Sequence, residues 1–329
     1  MSALAELPLL SLRSVRVGSR RDHEVREIVR GVDLDVLAGE KVGVVGESGS
    51  GKTLTMLSVL RLLPRPLEVL GGQIRFEDKI LTELDERGME SIRGAGVAMV
   101  YQDPMTSLNP LLRVRTQVVE TLRAHGSSDA AAGKRTREVL GQVGFVDPER
   151  VEAAFPHELS GGMVQRVMIA MAIATSPRLL IADEPTTALD VTIQQQILDL
   201  VDSLQSRTAM SVVWVSHDLG VIARLVDRVF VMYAGRVVEQ APTVRLFARP
   251  THPYSQALLG SLPGPEVRHR ARLTQIGGSP PDPTRLPPGC PFRARCPFAF
   301  DRCAEQEPPL LERGEGSLAA CWKEPIEWL

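Results

Sequence analysis

The sequence predicts an α/β protein: a mainly parallel sheet covered by helices. Three observations carry this. Short apolar runs, at residues 41–46 (KVGVVG), 179–183 and 211–216 (SVVWVS), read as buried strands. Stretches with apolar residues at helical spacing alternate with them. The composition, 43% hydrophobic and 24% charged over 329 residues, is that of a soluble chain able to bury a core.

The elements follow in order. The strand 41–46 ends in glycine and leads into a helix over 52–62, with Leu54, Leu57, Leu60 and Leu62 on its apolar side. Residues 103–175 read as a helical insert, with helices at 116–125 and 134–143 and no strong strand between them. An apolar helix over 164–174 closes it. The strands 179–183 and 211–216 flank an amphipathic helix over 191–204. Beyond residue 240 the pattern changes. Fifteen of the 24 prolines and all four cysteines fall in 241–329, which reads as a loop-rich tail needing a covalent or metal staple. The expected division is a body over 1–240 and a tail over 241–329.

With 38 basic and 40 acidic residues, a globally basic nucleic-acid binder is not favoured. The longest stretch without a charged residue, 250–265, contains four prolines and cannot span a bilayer. The first ten residues carry Glu6 and Pro8 and do not look like a signal peptide. The chain is expected to be cytosolic, with any membrane role supplied by partners.

Residues Gly46-Glu47-Ser48-Gly49-Ser50-Gly51-Lys52-Thr53 spell G-x-x-x-x-G-K-T after a strand and at a helix start, the context of a P-loop. The glycines let successive N–H groups face one anion, and the helix end adds positive potential. Lys52 is suited to the β- and γ-phosphates and the Thr53 hydroxyl to Mg²⁺. Asp183 and Glu184 close the strand 179–183. Asp183 is a candidate Mg²⁺ ligand and Glu184 a candidate to polarise the attacking water.

Five ordered motifs, the P-loop included, resemble ABC transporter ATPases. Leu159-Ser160-Gly161-Gly162-Met163 is similar to their signature, Ala182-Asp183-Glu184-Pro185 to Walker B, Ala188-Leu189-Asp190 to the D-loop, and Ser216-His217-Asp218 to the H-loop. The resemblance implies a RecA-like P-loop NTPase core with an antiparallel β subdomain and an α-helical insert. It implies an ATPase that works as a dimer. Each ATP would lie between the P-loop of one cassette and Ser160, Gly161 and Gly162 of the other, with Asp190 nearby. His217 would contact the γ-phosphate. Gln102, in Tyr101-Gln102-Asp103, would contact Mg²⁺ or the attacking water and report to the insert.

Longer segments, at 102–110 (QDPMTSLNP), 157–166 (HELSGGMVQR), 185–196 (PTTALDVTIQQQ) and 252–259 (HPYSQALL), resemble the oligopeptide/dipeptide importer branch. So does the cysteine tail from Pro287. That branch implies two membrane permeases, a second and often non-identical ATPase, and an extracytoplasmic substrate-binding protein, with this chain peripheral on the cytoplasmic face. No nucleic-acid partner is expected. Nickel importers share the branch and are the alternative substrate class. A soluble, non-transport ABC ATPase is a second alternative, but residues 54–160 show no sustained heptads for the coiled coil of repair forms.

Two features complete the reading. The family usually stacks an aromatic residue on adenine, yet no Phe, Tyr or Trp precedes Phe76. Arg16 or Val17 stands nearest that place. Cys290, Cys296, Cys303 and Cys321 have the spacing C-x5-C-x6-C-x17-C. Four thiols suit a [4Fe–4S] cluster or tetrahedral Zn²⁺, and free thiols are the third possibility. Paired C-x2–4-C knuckles are missing, and the resemblance implies an iron–sulfur cluster. Such a staple would anchor the tail to the body or to a partner subunit, at a distance from the phosphate site.

Overall fold

The structure is a computed structural model and describes residues 7–21, 24–102, 107–186, 190–261 and 276–323. Asp103, Ala188 and Leu189 of the motifs above lie outside the described residues. The chain is α/β and forms two compact units, one from residues 1–36, 41–82 and 215–329 and one from 37–40 and 83–214.

The first unit holds an antiparallel sheet in which Leu10–Arg21 lies between Glu24–Val36 and Glu68–Phe76, with Lys79–Ile80 at the edge. Leu10, Leu12, Val15 and Val17 are buried, as are Val29, Val32, Leu34 and Val36 on the partner strand. The register slips between Leu12 and Val15, where Ser14 adopts φ 48°. This bulge lets Leu12 and Val15, three residues apart, both point inward.

The strand Lys41–Val45 belongs to the same unit and pairs in parallel with Arg228–Tyr233, which pairs antiparallel with Arg236–Pro242. The tail continues this sheet. Leu318–Ala319 pairs with Glu239 and Gln240, and Leu311–Glu312 pairs with Leu318–Ala319. The helix Lys52–Val59 stops earlier than its apolar spacing suggests, because Arg61 turns to φ 52° and Pro64 follows.

The second unit carries Val97–Val100 parallel to Leu179–Asp183; the strand Ser211–Ser216, whose first four residues belong to this unit, neighbours Leu179–Asp183 in the sheet. Among the described residues no strand interrupts 101–178; Val114–Ala124, Asp129–Gln142, Pro148–Ala153 and Gly161–Ile173 pack on one another there. Ser128 and Asp147 cap two of these helices through side-chain oxygens on Ala131 N and Arg150 N. Every residue of Leu179–Asp183 is buried, so the run carries no alternation.

Candidate nucleotide site

In the first unit the loop 46–53 takes the P-loop form. Gly46 sits at φ 153°, and a Cβ there would stand 2.2 Å from the Met232 carbonyl oxygen. Gly49 and Gly51 have φ 79° and 99°. These backbone shapes open the amides toward one side and exclude side chains that would fill the cradle. Lys52, 5% exposed, donates from Nζ to the carbonyls of Gly46 at 2.8 Å and Glu47 at 3.0 Å. The ammonium is therefore held over the loop by its backbone. The cradle fits a phosphate chain. Thr53 is half-buried in the first helical turn, and Ser50 is buried with its hydroxyl unpartnered among the described residues. Ser48 is exposed. His217 is exposed directly after Ser211–Ser216.

The second unit carries the other half of the candidate chemistry. Asp183 ends its strand at 2% exposure. Glu184 follows at φ 45°, a left-handed backbone that is costly for a residue with a side chain. Gln102 Nε2 donates to Glu184 Oε2 at 3.0 Å, so the amide and the carboxylate meet. Ser160 caps the helix Gly161–Ile173, its hydroxyl accepting from Met163 N at 3.4 Å. Gly161 and Gly162 thus form the first turn, with unspent backbone amides. A Cβ on Gly162 would lie 2.7 Å from Ile193 Cγ2, which explains the second glycine by packing. Asp190 caps Val191–Thr208 by accepting from Ile193 N at 2.9 Å.

Of the two residues nearest the expected adenine contact, Val17 is fully buried and offers a base no surface. Arg16 is half exposed and pairs with Glu27 at 3.1 Å.

The expectation that the tail is remote from the phosphate site is corrected. Arg295, between Cys290 and Cys296, forks onto Glu47 at 2.6 and 2.8 Å, with its own side chain 4% exposed. The hydrogen bonds to Glu47 raise the Arg295 pKa and hold the cation. Tyr254, fully buried, accepts through its hydroxyl from the Glu47 N–H at 2.7 Å. Burial pushes the Tyr254 pKa up, so this hydroxyl stays protonated. Sequence reasoning missed both contacts, which bridge 248 and 207 residues. The Glu47 carboxylate faces Arg295, which leaves its place in the 46–53 loop to the backbone.

The 252–259 segment gains a physical account from the same contacts. His252 caps Pro253–Gly260, its Nδ1 accepting from Tyr254 N at 3.0 Å, and burial lowers its pKa to about 3. The neutral ring is what lets Nδ1 accept. Buried Glu239 accepts from Thr251 N at 2.6 Å and His252 N at 2.8 Å. Phe292 closes the cluster, with ring centroids 5.3 Å from Tyr233 and 5.5 Å from Tyr254.

Pairing, packing and ion pairs hold the tail, with Glu307 bridging Arg30 at 2.9 Å and Arg236 at 3.2 Å. Burial raises the Cys290 thiol to about 11, and Cys303, Cys296 and Cys321 add to the rise. Burial likewise raises Cys296 and Cys321. Among the described residues, no three His, Cys, Asp or Glu side chains are grouped to hold a metal ion.

Comparison with known proteins extends these observations. A family model described as ABC transporter matches residues 29–187, and one described as oligopeptide/dipeptide transporter, C-terminal region, matches 238–303. The chain is 49% identical over 317 residues to a probable peptide ABC transporter ATP-binding protein of Sinorhizobium fredii, covering 96% of this chain and 95% of that one. It is 45% identical to the oligopeptide transport ATP-binding protein OppD of Bacillus subtilis, over 95% of this chain and 88% of that one. The same identity links it to the dipeptide transport ATP-binding protein DppD of that organism, over 95% and 94%. Among solved structures, a dimeric ATP-binding cassette in a post-hydrolysis state with ADP and Pi matches with TM-score 0.63 and 28% identity, over 71% of this chain and 98% of that one.

Proposed function

The chain belongs to the ABC transporter ATPases, in the oligopeptide/dipeptide branch, and hydrolyses ATP; from that premise we propose that it powers the import of peptides across the cytoplasmic membrane. The observation that carries the chemistry is Lys52, anchored by the Gly46 and Glu47 carbonyls over a glycine cradle. Peptide as the cargo is supported by the named relatives in Sinorhizobium and Bacillus.

In this reading the amides of the P-loop and Lys52 bind the phosphates. Thr53, Asp183 and Gln102 would hold Mg²⁺, which would neutralise phosphate charge when bound. Glu184 orients the attacking water, and the Gln102 amide holds the Glu184 carboxylate until water and phosphate arrive. His217 steadies the γ-phosphate. Ser160, Gly161 and Gly162 present a helix N-terminus to the γ-phosphate of a partner cassette, and Asp190 lies beside it. Residues 1–240 act as the nucleotide-binding domain, with 103–175 as the subdomain that passes motion on. Residues 241–329 act as the branch-specific region. This is a division of labour, since part of the tail folds in one unit with the P-loop.

The partners are two permeases, a second, non-identical ATPase, and an extracytoplasmic binding protein. No helix among the described residues is long and apolar enough to cross a membrane. Attachment at the cytoplasmic face comes through the permeases in this reading. The cysteine site stays a proposal, supported by the spacing of Cys290, Cys296, Cys303 and Cys321 within one short tail. No step of the ATP chemistry is routed through it. Iron, sulfide and zinc analysis of anaerobically purified protein decides between [4Fe–4S], Zn²⁺ and free thiols.

The test is co-purification with membrane partners, reconstitution, and ATPase measurement with the binding protein and candidate cargo. Peptide-stimulated turnover with uptake is expected. Stimulation by nickel alone would move the protein to the nickel class, and turnover without any membrane partner would make it a soluble ATPase.

A further inference from the structure

Glu47 is held at three points by three parts of the chain. Its N–H goes to the Tyr254 hydroxyl at 2.7 Å. Its carboxylate receives both arms of Arg295 at 2.6 and 2.8 Å. Its carbonyl accepts from Lys52 Nζ at 3.0 Å. The first two partners are tail residues and the third is the phosphate-binding lysine. Where the tail puts Glu47, it also puts one of the two carbonyls that aim Lys52. A planar fork on a carboxylate fixes orientation as well as distance, which a single charge would not do.

Arg295 is itself held. Its Nε donates to the Gly277 carbonyl at 2.9 Å, and its guanidinium lies 5.8 Å from the Tyr233 ring centroid and 5.9 Å from that of Phe292. Tyr254 is fixed by the His252 cap and by packing at 4.6 Å between ring centroids on Tyr233. All of these residues belong to one compact unit. The clamp is therefore rigid on the tail side, and its free end is the second residue of the P-loop.

We propose that Arg295 and Tyr254 are positioning residues for nucleotide binding: the four-cysteine tail sets the P-loop through Glu47 and thereby aims Lys52 at the phosphates. Neither residue touches the nucleotide in this scheme. The tail is part of the phosphate grip, and a change at Cys290 or Cys296, which flank Arg295, is transmitted to ATP affinity. The proposal rests on the reading of residues 46–53 as the phosphate cradle.

The experiment is a mutant cycle on the full chain, with MgATP affinity as the readout and thermal unfolding as a separate one. Arg295→Met and Glu47→Gln each weaken MgATP about tenfold. The double variant is no weaker than either single, because both remove the same fork. Arg295→Lys, which reaches one oxygen, recovers part of the loss. Tyr254→Phe keeps the ring packing and weakens binding by about threefold through the lost N–H partner. A merely structural role would lower the melting temperature and leave the affinity of the folded fraction unchanged. Should Arg295→Met not fold, Glu47→Gln decides alone, since it leaves Arg295 on its rings. Affinity within twofold of wild type for Glu47→Gln, or effects that multiply in the double variant, overturns the proposal. Lys52→Ala runs alongside: unchanged MgATP binding in that variant would instead overturn the cradle reading itself.

Discussion

Phe292 offers the most direct measure of what holds the tail. It is 2% exposed and meets Tyr233, Tyr254 and His252 with ring centroids at 5.3, 5.5 and 5.9 Å. Truncating a buried Phe to Ala costs about 3–5 kcal/mol, of which the aromatic pairs supply about 0.5–1.5 kcal/mol each. Phe292→Leu keeps most of the apolar volume and loses the ring geometry, so about 1.5 kcal/mol is expected. The two units need not unfold together, so a single global midpoint is the wrong readout. Hydrogen exchange followed peptide by peptide is the right one. In Phe292→Ala, protection across 290–323 should fall about a hundredfold or more, while Leu179–Asp183 keeps its protection. Less than a tenfold fall would mean that packing is not what holds the tail, and that thiol chemistry carries more than this structure assigns to it.

Three further outcomes are expected. Glu184→Gln should retain ATP binding and lose about 10²–10⁴ of turnover in the assembled transporter, measured beside a partner-site variant so that the partner's activity is not mistaken for its own. Burial raises the Glu307 carboxyl, but the hydrogen bond and charge of Arg30, with Arg236, outweigh it and hold the pKa below its ordinary 4.5; this stability is present above that value and lost as pH falls through the lower folded one, so the melting-temperature gap between wild type and Glu307→Gln should close on acidification. With Val17 buried and Arg16 the exposed neighbour, ATP should be preferred over GTP by less than about a hundredfold, or about 2.7 kcal/mol, in competition binding; a larger preference would reveal a base contact from elsewhere.

What the sequence revealed follows the range of the forces involved. The P-loop strand and helix, the strands Leu179–Asp183 and Ser211–Ser216, and the helix behind Gly161 and Gly162 are local patterns, and they stand where periodicity put them. Helix ends were less legible. Val191–Thr208 runs past residue 204 because polar residues continue its turns to Ala209, which ends it in the left-handed region. The antiparallel sheet around Leu10–Arg21 came only from resemblance, since its bulge breaks the alternation that marks a strand. Leu311–Glu312 and Leu318–Ala319 are two residues long and carry no period at all. Arg295 was invisible for another reason. One of two arginines between Cys290 and Cys296 has no pattern, and its meaning is a carboxylate 248 positions away.

Buried Glu239 bears on where this chain can be cut. A fragment ending near residue 240 would keep every nucleotide motif, yet it would lose Thr251 and His252, whose amides satisfy that carboxylate. The acid, whose pKa burial already raises, would be left without its donors. The same cut would strip Leu318–Ala319 from Arg236–Pro242 and open a bare sheet edge, a ready template for pairing between copies. A shortened ATPase prepared for solution work is therefore expected to precipitate or self-associate, whereas one retaining residues through 323 keeps both the donors and the covered edge.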